Sequence, residues 1–379
     1  MFVFGRNPGL HSLIVYILVF SVFMPYYITG AALVCVFTVV CMKKECRSKL
    51  FERPTLLFLL PFYVICFGSS IYYGNIPGIF CSLGIVMITS LYVYMSRIMT
   101  RQIYERALDL ALMLSASISM YASLEMLYYI MILKRNSYRS QAAFFNANYF
   151  AAICVFCVII AVYKLFSHSR YKLFYLFIIF LNFANMFISG SMLSWAAMAA
   201  GLFMLLFILK RYKLLVSGLF LFAVLVVIVS MVPELMPRLI QAQYTGSMRL
   251  IIWQTSLLQI VKTPFFGNGP LTYMLICKNI PTFQSQHAHN LVIESLLSYG
   301  VFGSVCLLGY VVKYFSDVIN QFMDGGKTRH LALILSISSA ILAWGLTDVI
   351  IFWIQTGLLV AFILSGASLK ENTPQTEEA

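Results

Sequence analysis

Apolar residues in this chain come in long unbroken blocks separated by short polar stretches, not in the alternating pattern of half-buried strands. A helix needs about 20 residues to cross the hydrocarbon layer of a bilayer, and block after block approaches that length. The pattern predicts twelve apolar helices, at residues 9–24, 26–42, 55–73, 78–96, 107–132, 148–163, 173–189, 192–209, 214–232, 291–312, 330–347 and 349–366. Two pairs reverse abruptly, one at Pro25 and one at Ser189-Gly190-Ser191-Met192. Between the ninth and tenth blocks the pattern breaks down over 233–290, the longest interval in the chain. This interval is rich in apolar residues, aromatics, Gly and Pro, which predicts an ordered segment at the membrane surface. The expected fold is an all-α polytopic membrane domain over 1–379. It has about twelve transmembrane helices, one long extracytoplasmic loop at 233–290 and a cytoplasmic tail at 367–379.

Composition supports this. Of the 379 residues 61% are hydrophobic and only 10% charged, against roughly 25% charged in a soluble domain. A transmembrane β-barrel would show short alternating segments instead. The net charge of +13 would suit a nucleic-acid partner, but its placement assigns it to topology. With the N-terminus inside and the loops alternating, most of the 26 Lys and Arg fall on the cytoplasmic side, as in Lys43, Lys44, Arg47, Lys49 and Arg53. Lys134, Arg135, Arg139, Arg238, Arg249, Lys262 and Lys278 fall outside, and no basic residue lies within a predicted span. That asymmetry follows the positive-inside rule and places both termini in the cytoplasm. No nucleic-acid partner is expected. No cleavable signal precedes the first span, which is expected to act as the anchor. The nine cysteines lie almost wholly in apolar runs, Cys277 excepted, so no disulfide framework is expected. The Cys154-x-x-Cys157 pair reads as apolar core thiols.

Charge inside the apolar blocks changes the picture more. Glu125, Glu294 and Asp348 lie near predicted outer ends of spans, and Asp109 near an inner end. Ionisable groups there face a partner or a polar cavity. Three carboxyl groups at the depth of the outside arginines favour a polar outer cavity, with helix-to-helix pairing as the alternative.

Within the long interval, Thr245 or Ser247 is expected to cap a helix running to about Val261, ended by Pro264, Gly267 and Gly269. Its polar residues, interrupted by Trp253, suit a helix lying in the headgroup interface. Arg249 is expected in its first turn, where the helix dipole does not favour a cation. A guanidinium is a good bidentate partner for phosphate; ordinary headgroup contact is the alternative. Downstream, His287 and His289 stand in His-Ala-His-Asn, just before the tenth block. An imidazole at the mouth of a span suits general-base chemistry near neutral pH. Alternate histidines also suggest metal, but a zinc site needs a third and usually a fourth donor. Glu234, Cys277 and Glu294 are the few on offer, so proton chemistry is preferred and no metal is assigned; inert interfacial histidines remain the other alternative.

The ordered set Arg249-x-x-x-Trp253, then Pro264-x-x-Gly267-x-Gly269, then His289-Asn290-x-x-x-Glu294 ahead of Gly300-x-x-Gly303 resembles the O-antigen ligase and O-antigen polymerase superfamily. Asn146-Ala147-Asn148-Tyr149 and Ser189-Gly190-Ser191 look like two further landmarks, so that the resemblance covers roughly 140–312. It implies a fold similar to the GT-C membrane glycosyltransferases. It also implies transfer from an undecaprenyl-diphosphate-linked glycan donor to a glycan acceptor on the extracytoplasmic face of a bacterial cytoplasmic membrane. Because a diphosphate is already a good leaving group, cations can stabilise its developing charge, and no cofactor is implied. Arg249 would bind the diphosphate and His289 would activate the acceptor hydroxyl. His287, Glu294, Asn290 and Trp253 would help to hold substrate. A chain-length regulator or a flippase would be a fitting partner.

One departure matters: many family members carry an arginine after the serine of Ser-Gly-Ser, where this chain has Met192. Lys134, Arg135 or Arg139 is expected to substitute for it.

Two other classes compete. Twelve spans also suit a six-plus-six transporter, but its halves would be related and its substrate site central, and no repeat between halves is visible. A scaffold of a polysaccharide-export complex would have no need of Arg249 or His289. Within the glycan class, polymerase is preferred to ligase because the outer loop is modest and no separate acceptor domain exists.

Overall fold

The computed structural model describes residues 9–51, 55–135, 138–167, 171–232, 242–280, 282–324 and 329–369. Arg53, Glu234, Arg238 and nearly all of the 367–379 tail lie outside the described residues, as does the start of the 233–290 interval.

The described residues are helical throughout, with no strand among them. The helices are α1 (Leu10–Val22), α2 (Tyr26–Met42), α3 (Lys44–Phe51), α4 (Thr55–Tyr72), α5 (Ile76–Ile98), α6 (Arg101–Met131), α7 (Ala147–Ser167) and α8 (Lys172–Ser189). They continue with α9 (Met192–Ile208), α10 (Tyr212–Met231), α11 (Ala242–Lys262), α12 (Thr272–Asn279), α13 (Leu291–Met323), α14 (Arg329–Gly345) and α15 (Ile354–Ser365). Each of the twelve predicted blocks coincides with one of these helices. By length and composition six of them can cross a membrane, or up to seven if the bent pair α2–α3 is one span. The chain is thus an all-helical protein with several candidate membrane spans.

Two helices were not expected. α3 turns 91° away from α2 and carries the basic run read as a loop. It forms because Cys46 and Leu50, one turn apart, bury the same face. α12 sits inside the 233–290 interval, whose described part is therefore more helical than the single expected helix implied.

The core is organised around α7, nearly all of whose residues from Ala147 to Lys164 are buried. α8 and α9 pack on it, α14 lies along α9, and α1 packs on α2, α6 and α15. Cys154 and Cys157 are buried free thiols within α7, as expected. In contrast α10 buries none of its residues and packs chiefly on α9 among the described residues.

Lys164 corrects the sequence reading. It was placed just beyond a span, but α7 runs on to Ser167 and encloses it at 1% exposure. A buried ammonium is tolerated only when paired. It meets Glu105 Oε2 at 2.8 Å and Asp109 Oδ1 at 2.8 Å, both on α6.

Candidate functional site

The site is built where α7, α13 and the α14–α15 turn converge. α11 ends at Lys262, and residues 263–271 then run back over α13. Asn268 N–H and Gly269 N–H donate to the carbonyls of Leu297 and Ser298, at 3.2 and 2.8 Å. In return Val301 N–H and Phe302 N–H donate to the carbonyls of Pro264 and Phe265, at 2.8 and 3.0 Å. α13 can accept this because it breaks at Gly300, where φ is 62° and ψ −169°. A Cβ on Gly300 would stand 2.4 Å from the Phe265 carbonyl, and one on Gly267 2.6 Å from that of Ser298. The Pro-x-x-Gly-x-Gly motif is therefore a splice into a broken helix. Asn75 completes it, donating to the carbonyls of Asn268 and Pro270 at 3.1 and 2.8 Å.

The splice fixes the start of α13, which carries the histidines. Asn290 caps the helix by accepting from Val292 N–H and Ile293 N–H, and donates to the Leu346 carbonyl at 2.9 Å. Glu294 is 2% exposed; its carboxylate accepts from Ala288 N–H at 2.7 Å and from Ser298 Oγ at 2.9 Å. Both side chains are thus occupied in holding the 287–290 segment. The tension in that segment is visible at His289, whose φ of 50° is rare for a residue with a side chain. Such outliers persist where surrounding structure over-determines them.

Asp348 is what the sequence reading lacked. It was noted as an acid beside a span but given no partner, and it was not counted among possible third donors. Its Oδ1 lies 2.8 Å from His287 Nε2 and 2.9 Å from His289 Nδ1. Val349 N–H donates to the same oxygen at 2.9 Å, and Asn148 Nδ2 donates to Oδ2 at 2.9 Å. Burial alone would push this carboxyl up, but the hydrogen bonds and charges of the two imidazoles together hold it well below 3.8. An ionised carboxylate only accepts, so each imidazole donates an N–H to it. For His287 burial opposes the cation, yet Asp348, and behind it Glu294, raise its pKa above 6.5.

The network continues. Asn148 Oδ1 accepts from Arg139 Nη2 at 2.8 Å, and Arg139 Nε donates to the Ser189 carbonyl at 2.7 Å. Of the three cations expected to replace the family arginine at Met192, Arg139 therefore reaches the Ser-Gly-Ser turn. Lys134 and Arg135 are exposed, and neither side chain has a hydrogen-bond or ion partner among the described residues. The loop bearing Arg139 is held by Glu125, which accepts from Tyr138 OH at 2.8 Å, Ser140 Oγ at 2.5 Å and Ala142 N–H at 3.1 Å. Of the acids weighed for a polar cavity, Glu125 instead organises a loop.

α11 packs on α13. Trp253 leans on a small cluster of Ile252, Tyr273, Cys277, Ala288 and Leu297 beneath the histidines. Because the helix already runs from Ala242, Thr245 and Ser247 lie inside it and do not cap it, and Arg249 stands in the second turn. Arg249 is half-buried and has no hydrogen-bond or ion partner among the described residues. The outward residues are mostly apolar, among them Leu250, Ile251, Leu257, Leu258 and Val261, with Ser247, Gln254 and Lys262 as polar exceptions, so the exposed face of α11 suits the boundary between headgroups and hydrocarbon.

Two further observations bear on the chemistry. Ser285, unnoticed in sequence because a lone serine carries no pattern, lies 3.0 Å from His289 Nε2 and 2.9 Å from the His287 carbonyl. Its single proton can satisfy either acceptor. His287, His289 and Asp348 each offer one ligand atom, all within 4.8 Å of one another. That is a possible three-donor metal set, one short of a closed zinc site.

No significant match to the chain was found among curated proteins. A family model described as O-antigen ligase matches residues 176–308, less than half of the chain. The matched stretch contains Arg249, the glycine splice, both histidines and Glu294, whereas Arg139, Asn148 and Asp348 lie outside it. Over residues 176–308 the chain is thus similar to the O-antigen ligase family, in line with the resemblance carried by its motifs.

Proposed function

We propose that this protein is a membrane glycosyltransferase that polymerises undecaprenyl-diphosphate-linked oligosaccharide repeat units on the extracytoplasmic face. The observation carrying this reading is the His287–His289–Asp348 cluster, joined to the matched family stretch on one side and to Asn148 and Arg139 on the other.

His289 is the general base. Its Nδ1–H is held by Asp348, which fixes the tautomer and leaves the Nε2 lone pair for a proton. Ser285 covers that lone pair at rest and uncovers it when its hydroxyl turns to the His287 carbonyl. The acceptor hydroxyl attacks the anomeric carbon of the donor sugar as Nε2 takes its proton. The bond from that carbon to the diphosphate oxygen breaks, and the leaving diphosphate carries away the electron pair. Arg249, without a partner among the described residues and on the helix that packs beside the histidines, receives the diphosphate. Arg139 supplies a second positive charge at the Ser-Gly-Ser turn. Asp348 stabilises the imidazolium without itself taking the proton. Glu294, Asn290 and Trp253 hold the histidine segment and the helix beside it. In this reading the three donors form hydrogen bonds to one another, and transfer needs no metal.

All twelve apolar helices cross the membrane in this proposal, with α11 and α12 at its outer surface. The support is charge placement: Lys43, Lys44, Arg47, Arg97, Arg101, Lys210, Arg211 and Lys213 lie at the end of the bundle opposite the site. The active centre then faces outward in a bacterial cytoplasmic membrane, with both termini inside. Polymerase is chosen over ligase because the outer interval 233–290 is of modest size.

The test is to size lipid-linked glycans in a deletion strain complemented with wild-type or His289→Ala protein. Loss of the polymerase leaves single repeats. Long unattached chains would assign a ligase instead, intracellular unflipped glycan a transporter, and unchanged glycans would remove the enzyme reading.

A further inference from the structure

Beside the reaction centre stands a group of aromatic rings to which the proposed chemistry gives no task. Trp353 stacks on Tyr149 with ring centroids 4.9 Å apart and planes 3° from parallel. Phe145 lies 5.0 Å from the same indole, and Tyr26 5.6 Å from it and 5.9 Å from Phe145. The rings come from three separate parts of the chain, and the indole is locked in place. Trp353 Nε1–H donates to Gln355 Oε1 at 2.9 Å, and the buried Gln355 amide donates to the carbonyls of Val22 and Met24 at 3.1 and 2.6 Å. Those carbonyls belong to the turn that leads into Tyr26, so one buried side chain sets both rings.

The group grows from the segments that build the centre. Phe145 precedes Asn148 by three residues, and Trp353 follows Asp348 by five. Asn148 and Asp348 are themselves hydrogen-bonded. Although clamped, the rings are not covered: Tyr26 is 43% exposed and Phe145 44%.

A ring at a lipid interface needs only to be amphipathic; nothing about that role calls for a buried amide holding several rings in register. A saccharide does call for it. Its ring presents a face of C–H groups that packs on an aromatic surface while its hydroxyls stay in water. A platform rigid beforehand loses little conformational freedom on binding. We infer that Tyr26, Phe145 and Trp353 form a saccharide-stacking platform that holds a glycan ring beside the His289–Asp348 centre. This rests on the glycosyl-transfer reading and specifies where the glycan lies.

The test uses the full-length protein in lipid nanodiscs. The probe is the oligosaccharide released by mild acid from the lipid-linked glycan of the native host, with binding followed by ligand-observed NMR. Wild type and His289→Ala should bind alike. The Tyr26→Ala/Phe145→Ala double variant should bind about tenfold more weakly, as two lost aromatic contacts imply. Tyr26→Phe with Phe145→Tyr, which keeps both rings, should restore binding. In the transfer assay the double variant should raise KM by a similar factor and change kcat far less. A folded double variant with unchanged binding and KM would overturn the platform. So would a variant whose only defect is weaker retention in the bilayer, since the rings would then be interface anchors. Should His289→Ala retain transfer while the double variant loses binding, the base assignment fails and the platform stands.

Discussion

α7 carries a polar cluster at each end, and the two are built on opposite principles. Asn148 opens the helix and Lys164 lies near its close, about 24 Å apart at 1.5 Å per residue. Around Lys164 every partner is on a helix: Glu105 and Asp109 on α6, Tyr163 on α7 and Tyr175 on α8. That cluster is closed, with one ammonium between two carboxylates, the Tyr163 hydroxyl on the other oxygen of Glu105 and the Tyr175 hydroxyl on the Asp109 oxygen that also meets the ammonium. Around Asn148 the partners stand on turns and helix starts, two of them are imidazoles, and one nitrogen is covered only by a serine hydroxyl that has another acceptor. The first arrangement holds helices together. The second, in the proposed mechanism, has a proton to exchange.

The comparison can be broken most severely at the site end. His289→Ala should lower the transfer rate by about 10²–10⁴-fold, with a stability loss of only about 1–3 kcal/mol, because Asp348 loses one imidazole but keeps His287, Asn148 and the Val349 N–H. Kinetics and melting of the same preparation check both. Lys164→Met should do the reverse. It strands two carboxylates where removal of one partner of a buried pair costs about 3–5 kcal/mol. Denaturant unfolding should show that loss, with activity per folded molecule retained.

Gly300→Ala comes next. The φ of 62° and the 2.4 Å approach to Phe265 predict a loss of about 1–3 kcal/mol. Activity should fall further than stability explains, because the splice positions the histidines. A helix-preserving glycine substitution at Gly309, where a Cβ meets nothing within 4 Å, is the control.

Smaller effects come with pH. The raised pKa of His287 means that its pairing with Asp348 stabilises the fold fully below 6.5 and is lost as pH rises through the folded value. Asp348, being lowered, keeps its contribution above 3.8 and loses it only as pH falls through its own, lower value. Thermal midpoints should therefore decline on the alkaline side of 6.5, and Asp348→Asn should flatten that decline. The smallest expected effect is that of a chelator. EDTA should leave transfer unchanged, and a loss restored by a divalent ion would reassign His287, His289 and Asp348 as metal ligands.

How much of this was legible in sequence depends on the range of the force involved. The twelve apolar helices were readable because hydropathy is a local property, and a long unbroken apolar block satisfies its own backbone most simply as a helix. α3 was missed because its amphipathic pair Cys46 and Leu50 is hidden in a basic run. The end of α11 at Pro264 was readable for the same local reason, whereas its start was misplaced because Thr245 and Ser247 mimic caps. His287, His289 and Arg249 stood out as polar groups in an apolar chain. Asp348 stood out too, but not as their partner: 59 and 61 residues separate it from the imidazoles, and 200 from Asn148.

The sequence by itself thus determined the twelve long apolar helices, though not α3 or α12, where basic residues cluster between them and which side chains were unusual enough to carry chemistry. Tertiary structure alone decided that two imidazoles share one carboxylate, that Arg139 rather than Lys134 or Arg135 reaches the Ser-Gly-Ser turn, and that Glu294 faces inward to hold a loop. The reason is physical. Helix formation is settled by each residue's neighbours in the chain, whereas the partner of a buried polar group is settled by which helices pack together and in which rotation.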